Sequence, residues 1–119
     1  GLFGPPFYRE GPEKLARRAL QAAREILEFT IAFADTPEAR KVKERPDVIQ
    51  GMGVAVGVNL CPANVGIFGP NGDLTAFSAG MNSTARLQSL AGYREILAMD
   101  SVVQAVAGEA GHPFRFGPL

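Results

Sequence analysis

Asp73-Leu74-Thr75-Ala76-Phe77-Ser78-Ala79-Gly80-Met81-Asn82-Ser83-Thr84-Ala85-Arg86-Leu87-Gln88 changes its periodicity halfway along. Leu74 to Phe77 reads as a short strand. Ser78, whose hydroxyl can satisfy a free helix N–H, caps a helix expected from about Ala79 to Ala91 and closed by Gly92. Met81, Thr84, Ala85, Leu87 and Leu90 supply its apolar side. Asn82 and Arg86, four residues apart, share one face of that helix. Thr75, on the strand before, is expected to look into the same crevice. An amide, a guanidinium and a hydroxyl near a helix start suit a phosphorylated ligand, because the guanidinium offers phosphate oxygens a planar fork of donors. The plain alternative is that Asn and Arg at this spacing are solvated surface residues.

Upstream, Met52, Val54, Val56 and Val58 alternate with Gly53, Ala55 and Gly57. This is the period of a strand with one face of small residues, which lets either a helix backbone or a ligand come close. Asn59 to Pro62 reads as a turn and Asn64 to Phe68 as the return strand of a hairpin. Pro70-Asn71-Gly72-Asp73 is a second turn, since Asn-Gly tolerates positive φ. Farther upstream, Leu15, Ala19, Ala22, Ala23, Ile26, Thr30 and Phe33 recur at helical spacing, widened by Leu20, Leu27 and Ile31, and predict a long helix over 13–33 laid on a sheet. Pro12 and Glu13 suit its first turn. Residues 35–47 are polar, with a short helix from Pro37 to before Pro46, capped by Asp35 or Thr36. Its Arg40, Lys41, Lys43 and Arg45 either attract phosphate or coat an exposed connector. Downstream, Glu95 to Met99 reads as a buried strand, Asp100 or Ser101 caps a helix through Ala107, and Gly111 to Leu119 is extended. The order predicts an α+β fold, with helices gathered on one face of a mostly antiparallel sheet.

At 119 residues with no net charge, 46% apolar and 20% charged, the chain has the bulk properties of one small globular domain. No basic face points to nucleic acid. No apolar run is long enough to span a bilayer, and a single cysteine, Cys61, fits a reducing, cytoplasmic setting. The only histidine, His112, lies far from Cys61 in the sequence, so Cys61 reads as a half-buried turn thiol rather than a nucleophile. The start, Gly1-Leu2-Phe3-Gly4-Pro5-Pro6, has no signal-peptide character and reads as the edge of a fragment.

The 73–88 segment resembles the signature of class III adenylate and guanylate cyclases, in which a strand of type Asp-x-Thr-x-x-Gly-Asp-x-Val-Asn runs into Ala-Ala-Arg-Leu-Gln. Val56-Gly57-Val58-Asn59 through Val65-Gly66-Ile67-Phe68-Gly69 looks like that family's Gly-Ile-Asn-Thr-Gly to Val-Gly-Asn-Ile-Gly hairpin. Ala91 followed by Glu95-Ile96-Leu97 looks like its Ala-x-x-Gly-Glu-Ile-Leu strand, with Arg94 in place of the glycine. The helix at 13–33 matches the one before the hairpin, and Leu2 to Pro6 looks like the end of the strand before that.

The resemblance covers nearly the whole chain and implies a single partial cyclase homology domain over 1–119, ferredoxin-like, lacking its N-terminal strands and its metal site and leaving an open sheet edge. It implies conversion of ATP or GTP to a cyclic nucleotide and pyrophosphate. Arg86 would stabilise charge on the transferring phosphoryl group, Asn82 would orient the ribose, and Thr75 would sit at the purine-reading position. The partner would be a homodimer mate or a second cyclase-domain chain, and Mg or Mn would be held outside this chain, which alone would be inactive. Departures are Ser78-Ala79 for the Gly-Asp pair, Cys61 for the turn glycine, and Met81 for Val. They leave open a non-catalytic dimerisation or regulatory module, or a small-ligand protein with a pocket lined by Gly53, Gly57 and Thr75.

Overall fold

A computed structural model of the chain describes residues 1–5, 8–44, 53–108 and 111–118. The first helix, α1, spans Pro12–Phe33, with proline in its first turn and Glu13 beside it. The second, α2, spans Pro37–Lys43. Thr36 is its cap, accepting from the Ala39 N–H at 3.3 Å. Strands β1 (Ala55–Val58), β2 (Asn64–Phe68) and β3 (Asp73–Phe77) follow, then α3 (Ala79–Leu90), β4 (Glu95–Ala98) and α4 (Asp100–Ala107). Met52, expected at the start of the first strand, and Arg45, Pro46 and Asp47 of the connector lie outside the described residues.

The chain is α+β, as expected, but its strands pair differently. The expected hairpin between β1 and β2 does not form. Instead β1 pairs in parallel with β4, Ala55 opposite Glu95 through Val58 opposite Ala98. The ladder is prolonged by bonds from Arg94 N to Val54 O (2.8 Å) and Met99 N to Val58 O (2.9 Å). A parallel partner requires a long crossover, which β2, β3 and α3 supply. The antiparallel pair is β2 with β3, Asn64 opposite Phe77 through Phe68 opposite Asp73. The sheet structure is therefore mixed rather than mostly antiparallel. In the β2–β3 turn the positive φ values fall on Gly69 (82°) and Gly72 (67°), and Asn71 is not among the residues with positive φ.

Nor do the helices share one face. Val56 and Val58 join Ile96 and Ala98 in the cluster built by Ala16, Leu20 and Ala23 of α1 and Val102 and Val106 of α4. Gly57, which alternates with them, points the other way, onto α3. A Cβ placed there would lie 2.7 Å from Gln88 N and 3.0 Å from Thr84 O. The small-residue face of β1 thus receives a helix backbone, and β1 lies between α3 on one side and α1 with α4 on the other. Burying side chains such as Leu20, Val102 and Val106 contributes about 1.5–3 kcal/mol each.

The buried stripe of α1 runs through Ala16, Leu20 and Ala23; Leu20 and Ala23 belong to the expected apolar stripe and Ala16 does not. Its C-terminal half extends past the sheet, so Ile26 and Phe33 are exposed and Phe29 is 70% exposed. Leu2 and Phe3 belong to no strand, and Phe3 stacks on Tyr8 with ring centres 5.8 Å apart. Neither Asp100 nor Ser101 caps α4. Met99 holds the cap position without a side-chain bond, Asp100 accepts from Gln104 (2.6 Å), and Ser101 is engaged elsewhere.

Candidate functional site

The region of interest is the junction of β3 and α3. Ser78 is its hinge: its backbone is extended (φ −169°, ψ 162°) and its hydroxyl accepts from Met81 N at 3.1 Å. Serine at this position is thereby accounted for as a helix cap. Thr84 and Ser83 turn their hydroxyls back to the carbonyls of Gly80 (2.7 Å) and Ala79 (3.3 Å), so neither offers a free donor to a ligand.

Asn82 and Arg86 stand one turn apart on α3, both exposed. Neither side chain has a hydrogen-bond or ion-pair partner among the described residues. Asn82 lines an open crevice with Asn64, Ala76, Phe77, Ser78 and Met81, where the foot of the β2–β3 ribbon meets the first turn of α3. Arg86 lies beyond that crevice, one turn along the helix. Thr75 does not line it either. It is half-buried opposite Gly66, on the same ribbon face as Asn64 and Phe77. The three side chains singled out from sequence are thus neighbours by element, with Asn82 alone in the crevice wall.

The pocket that the small-ligand alternative would require at Gly53, Gly57 and Thr75 is not there. A Cβ on Gly53 would meet Arg94 Cγ at 2.7 Å and Tyr93 Cδ2 at 2.9 Å, and Gly57 lies under α3. The chain itself fills both spaces. Cys61 is half-buried, as expected, with its sulfur against Gly80 and 3.8 Å from the Ser78 hydroxyl. A Cβ on Gly80 would sit 2.4 Å from that sulfur, so the bulk added at residue 61 is matched by bulk missing at residue 80.

Sequence reading took Asn59 for a turn residue and missed its bonds. Its side-chain N–H donates to Gly80 O across the β1–α3 gap at 3.1 Å, while its carbonyl accepts from the Ser101 hydroxyl at 3.2 Å. The signal available was a polar side chain directly after an apolar strand. Arg40 and Lys41 are exposed on α2. Elsewhere on the surface, Arg18 is bonded to Glu10 through Nε at 2.9 Å, and this bond holds the Glu10 carboxyl below its usual range. As for divalent ions, no group of three or more His, Cys, Asp or Glu comes together among the described residues. The described residues do not fit such a site.

Arg94 has φ 61°, the only positive value on a non-glycine residue among those described. With Tyr93 it forms the turn that leads into β4. No protein-family model matches this chain, and neither a curated protein nor a solved structure is similar to it.

Proposed function

We propose that this chain supplies one half of a composite nucleotide-cyclase site, the half that grips ribose and phosphate. The observation that carries the reading is the pair Asn82 and Arg86: exposed, one turn apart, and without intramolecular partners among the described residues. Two features support it. The residue pattern at 73–88 resembles the cyclase signature, with its strand followed by a capped helix. Arg94, standing where that family has glycine, adopts the left-handed backbone that glycine favours.

In this reading the Arg86 guanidinium meets the triphosphate as a planar donor fork and stabilises the charge that builds up during phosphoryl transfer. Asn82 orients the ribose, and Thr75 addresses the purine edge of ATP or GTP. The products are a cyclic nucleotide and pyrophosphate. The metal-bearing half comes from a partner, either a second copy or another cyclase-domain chain. Purified alone with Mn and ATP, the chain is expected to yield no cyclic nucleotide. Measurable turnover would refute that expectation.

The test of the site is a titration with a fluorescent ATP analogue, comparing the unsubstituted chain with Arg86→Ala. A hydrogen bond to a charged group contributes about 1.5–3 kcal/mol, so affinity falls by about 10- to 100-fold. Equal affinity refutes the reading and favours the second one, a non-catalytic dimerisation or regulatory module. That alternative draws on Ser78 serving as a helix cap and on the Cys61–Gly80 contact, which close the family's departures into local packing.

A further inference from the structure

We infer that Asn59 is a positioning residue for the Asn82 and Arg86 helix, an inference that rests on the reading of those two side chains as ligand-binding groups. Asn59 is the first residue after β1 and half-buried. Its Nδ2 donates to Gly80 O in the first turn of α3, two residues before Asn82 and 21 positions away in the chain. Its Oδ1 accepts from the Ser101 hydroxyl, which in turn accepts from Leu60 N at 3.4 Å. The amide's sense is set at Gly80: reversed, it would place its oxygen against the Gly80 carbonyl oxygen, whereas the Ser101 hydroxyl can serve either amide atom.

The Gly80 carbonyl is the acceptor on which the first turn converges. It takes the Asn59 amide from outside and the Thr84 hydroxyl (2.7 Å) from within. Gly57 brings the α3 backbone against β1 farther along, at Thr84 and Gln88. A sliding contact at one point and a directional bond at another fix both the distance of α3 from the sheet and its rotation about its own axis. Rotation is what aims Asn82 and Arg86. Ser101 lies in the first turn of α4, so three elements meet in one small network, and loss of its central amide leaves the Gly80 carbonyl to Thr84 and the Ser101 hydroxyl without its acceptor.

The test uses the whole chain, the fluorescent ATP analogue with Mn, four single variants and one double. Asn59→Leu keeps the side-chain shape and removes the bonds. It is expected to weaken binding about 10-fold and to speed hydrogen exchange of the Met81 to Thr84 amides by a similar factor. Ser101→Ala, which frees the amide oxygen and removes the acceptor of Leu60 N but keeps the bond to Gly80, is expected to do the same by a few-fold. Val106→Ala removes buried volume in α4 and lowers stability, but leaves affinity unchanged below its unfolding transition. Combined with Arg86→Ala, Asn59→Leu adds a smaller loss than it does alone, since only Asn82 is left to misplace.

If Arg86→Ala weakens binding and Asn59→Leu does not, the inference is overturned while the site reading stands. If Val106→Ala weakens binding as much as Asn59→Leu, the effect is general loosening and the inference is again overturned. If Arg86→Ala has no effect, or the unsubstituted chain does not bind, the site reading falls and takes the positioning role with it. The exchange rates then still decide whether Asn59 holds α3.

Discussion

The contact between Cys61 and Gly80 makes a sharp prediction because the two residues must be read as one unit. An ideal Cβ on Gly80 lies 2.5 Å from the Cys61 Cβ and 2.4 Å from its sulfur. Carbon atoms approach comfortably to about 3.5 Å, so Gly80→Ala produces an overlap of about 1 Å. The crowded atoms include a Cβ fixed to the backbone, so no rotamer change relieves it. Overpacking of this kind costs about 1–3 kcal/mol. Against it stands the intrinsic gain of alanine over glycine within a helix, about 0.5–1 kcal/mol. Gly80→Ala in the natural background should therefore destabilise by about 1–2 kcal/mol. In a Cys61→Gly background both obstructing atoms are gone, and the same change should stabilise by about 0.5 kcal/mol or more. The sign reverses, and the coupling is about 2 kcal/mol. Urea unfolding of the four chains of the cycle, followed by circular dichroism, measures it. Additivity to within about 0.5 kcal/mol would mean that the two residues are not in contact, and the placement of Cys61 over α3 would be wrong.

Gly57→Ala drives a Cβ to 2.7 Å from Gln88 N, with backbone on both sides of the contact, and should cost about 2–3 kcal/mol, read as a fall in the urea midpoint. Arg94→Gly relieves a left-handed residue and should stabilise by about 1 kcal/mol, at the loss of the Arg94 guanidinium 5.6 Å over the Tyr93 ring; thermal melts check the sign. Glu10, whose carboxyl is held down by Arg18, contributes stability that is complete above the ordinary carboxylate range and lost as pH falls through its lowered value. Glu10→Gln should therefore lower stability slightly at neutral pH, both groups being exposed, and make no difference once pH has fallen below that value, so that urea midpoints of the two chains converge in acid.

What could be read from the chain followed how local the physics was. The starts of α1, α2 and α3 were legible because Pro12, Thr36 and Ser78 act within one turn of themselves. The facing of α1 was harder: Leu15, Ala16, Ala19, Leu20, Ala22 and Ala23 cover much of its circumference, and only the position of α4 selects Ala16, Leu20 and Ala23. Strand existence was visible in the alternation at 53–58, but the partner was not. A period of two fits a neighbour from either direction, and β1 finds its own 40 residues later, Ala55 against Glu95 (95 minus 55). At the candidate site, the common helix of Asn82 and Arg86 followed from spacing alone. The bond from Asn59 to Gly80 did not, since it joins elements whose approach depends on Gly57.

That long separation between β1 and β4 bears on how the chain folds in time. The β2–β3 ribbon closes over a four-residue turn and packs little on anything else, so it can form and fray early and independently. The parallel ladder must wait until a loop of some forty residues has closed, and its closure brings α4 to α1. The meeting of β1 and β4 is therefore the expected rate-limiting event. Lesions in the ladder should slow refolding, whereas lesions in the ribbon, with Ile67 already 73% open to water, should leave that rate untouched.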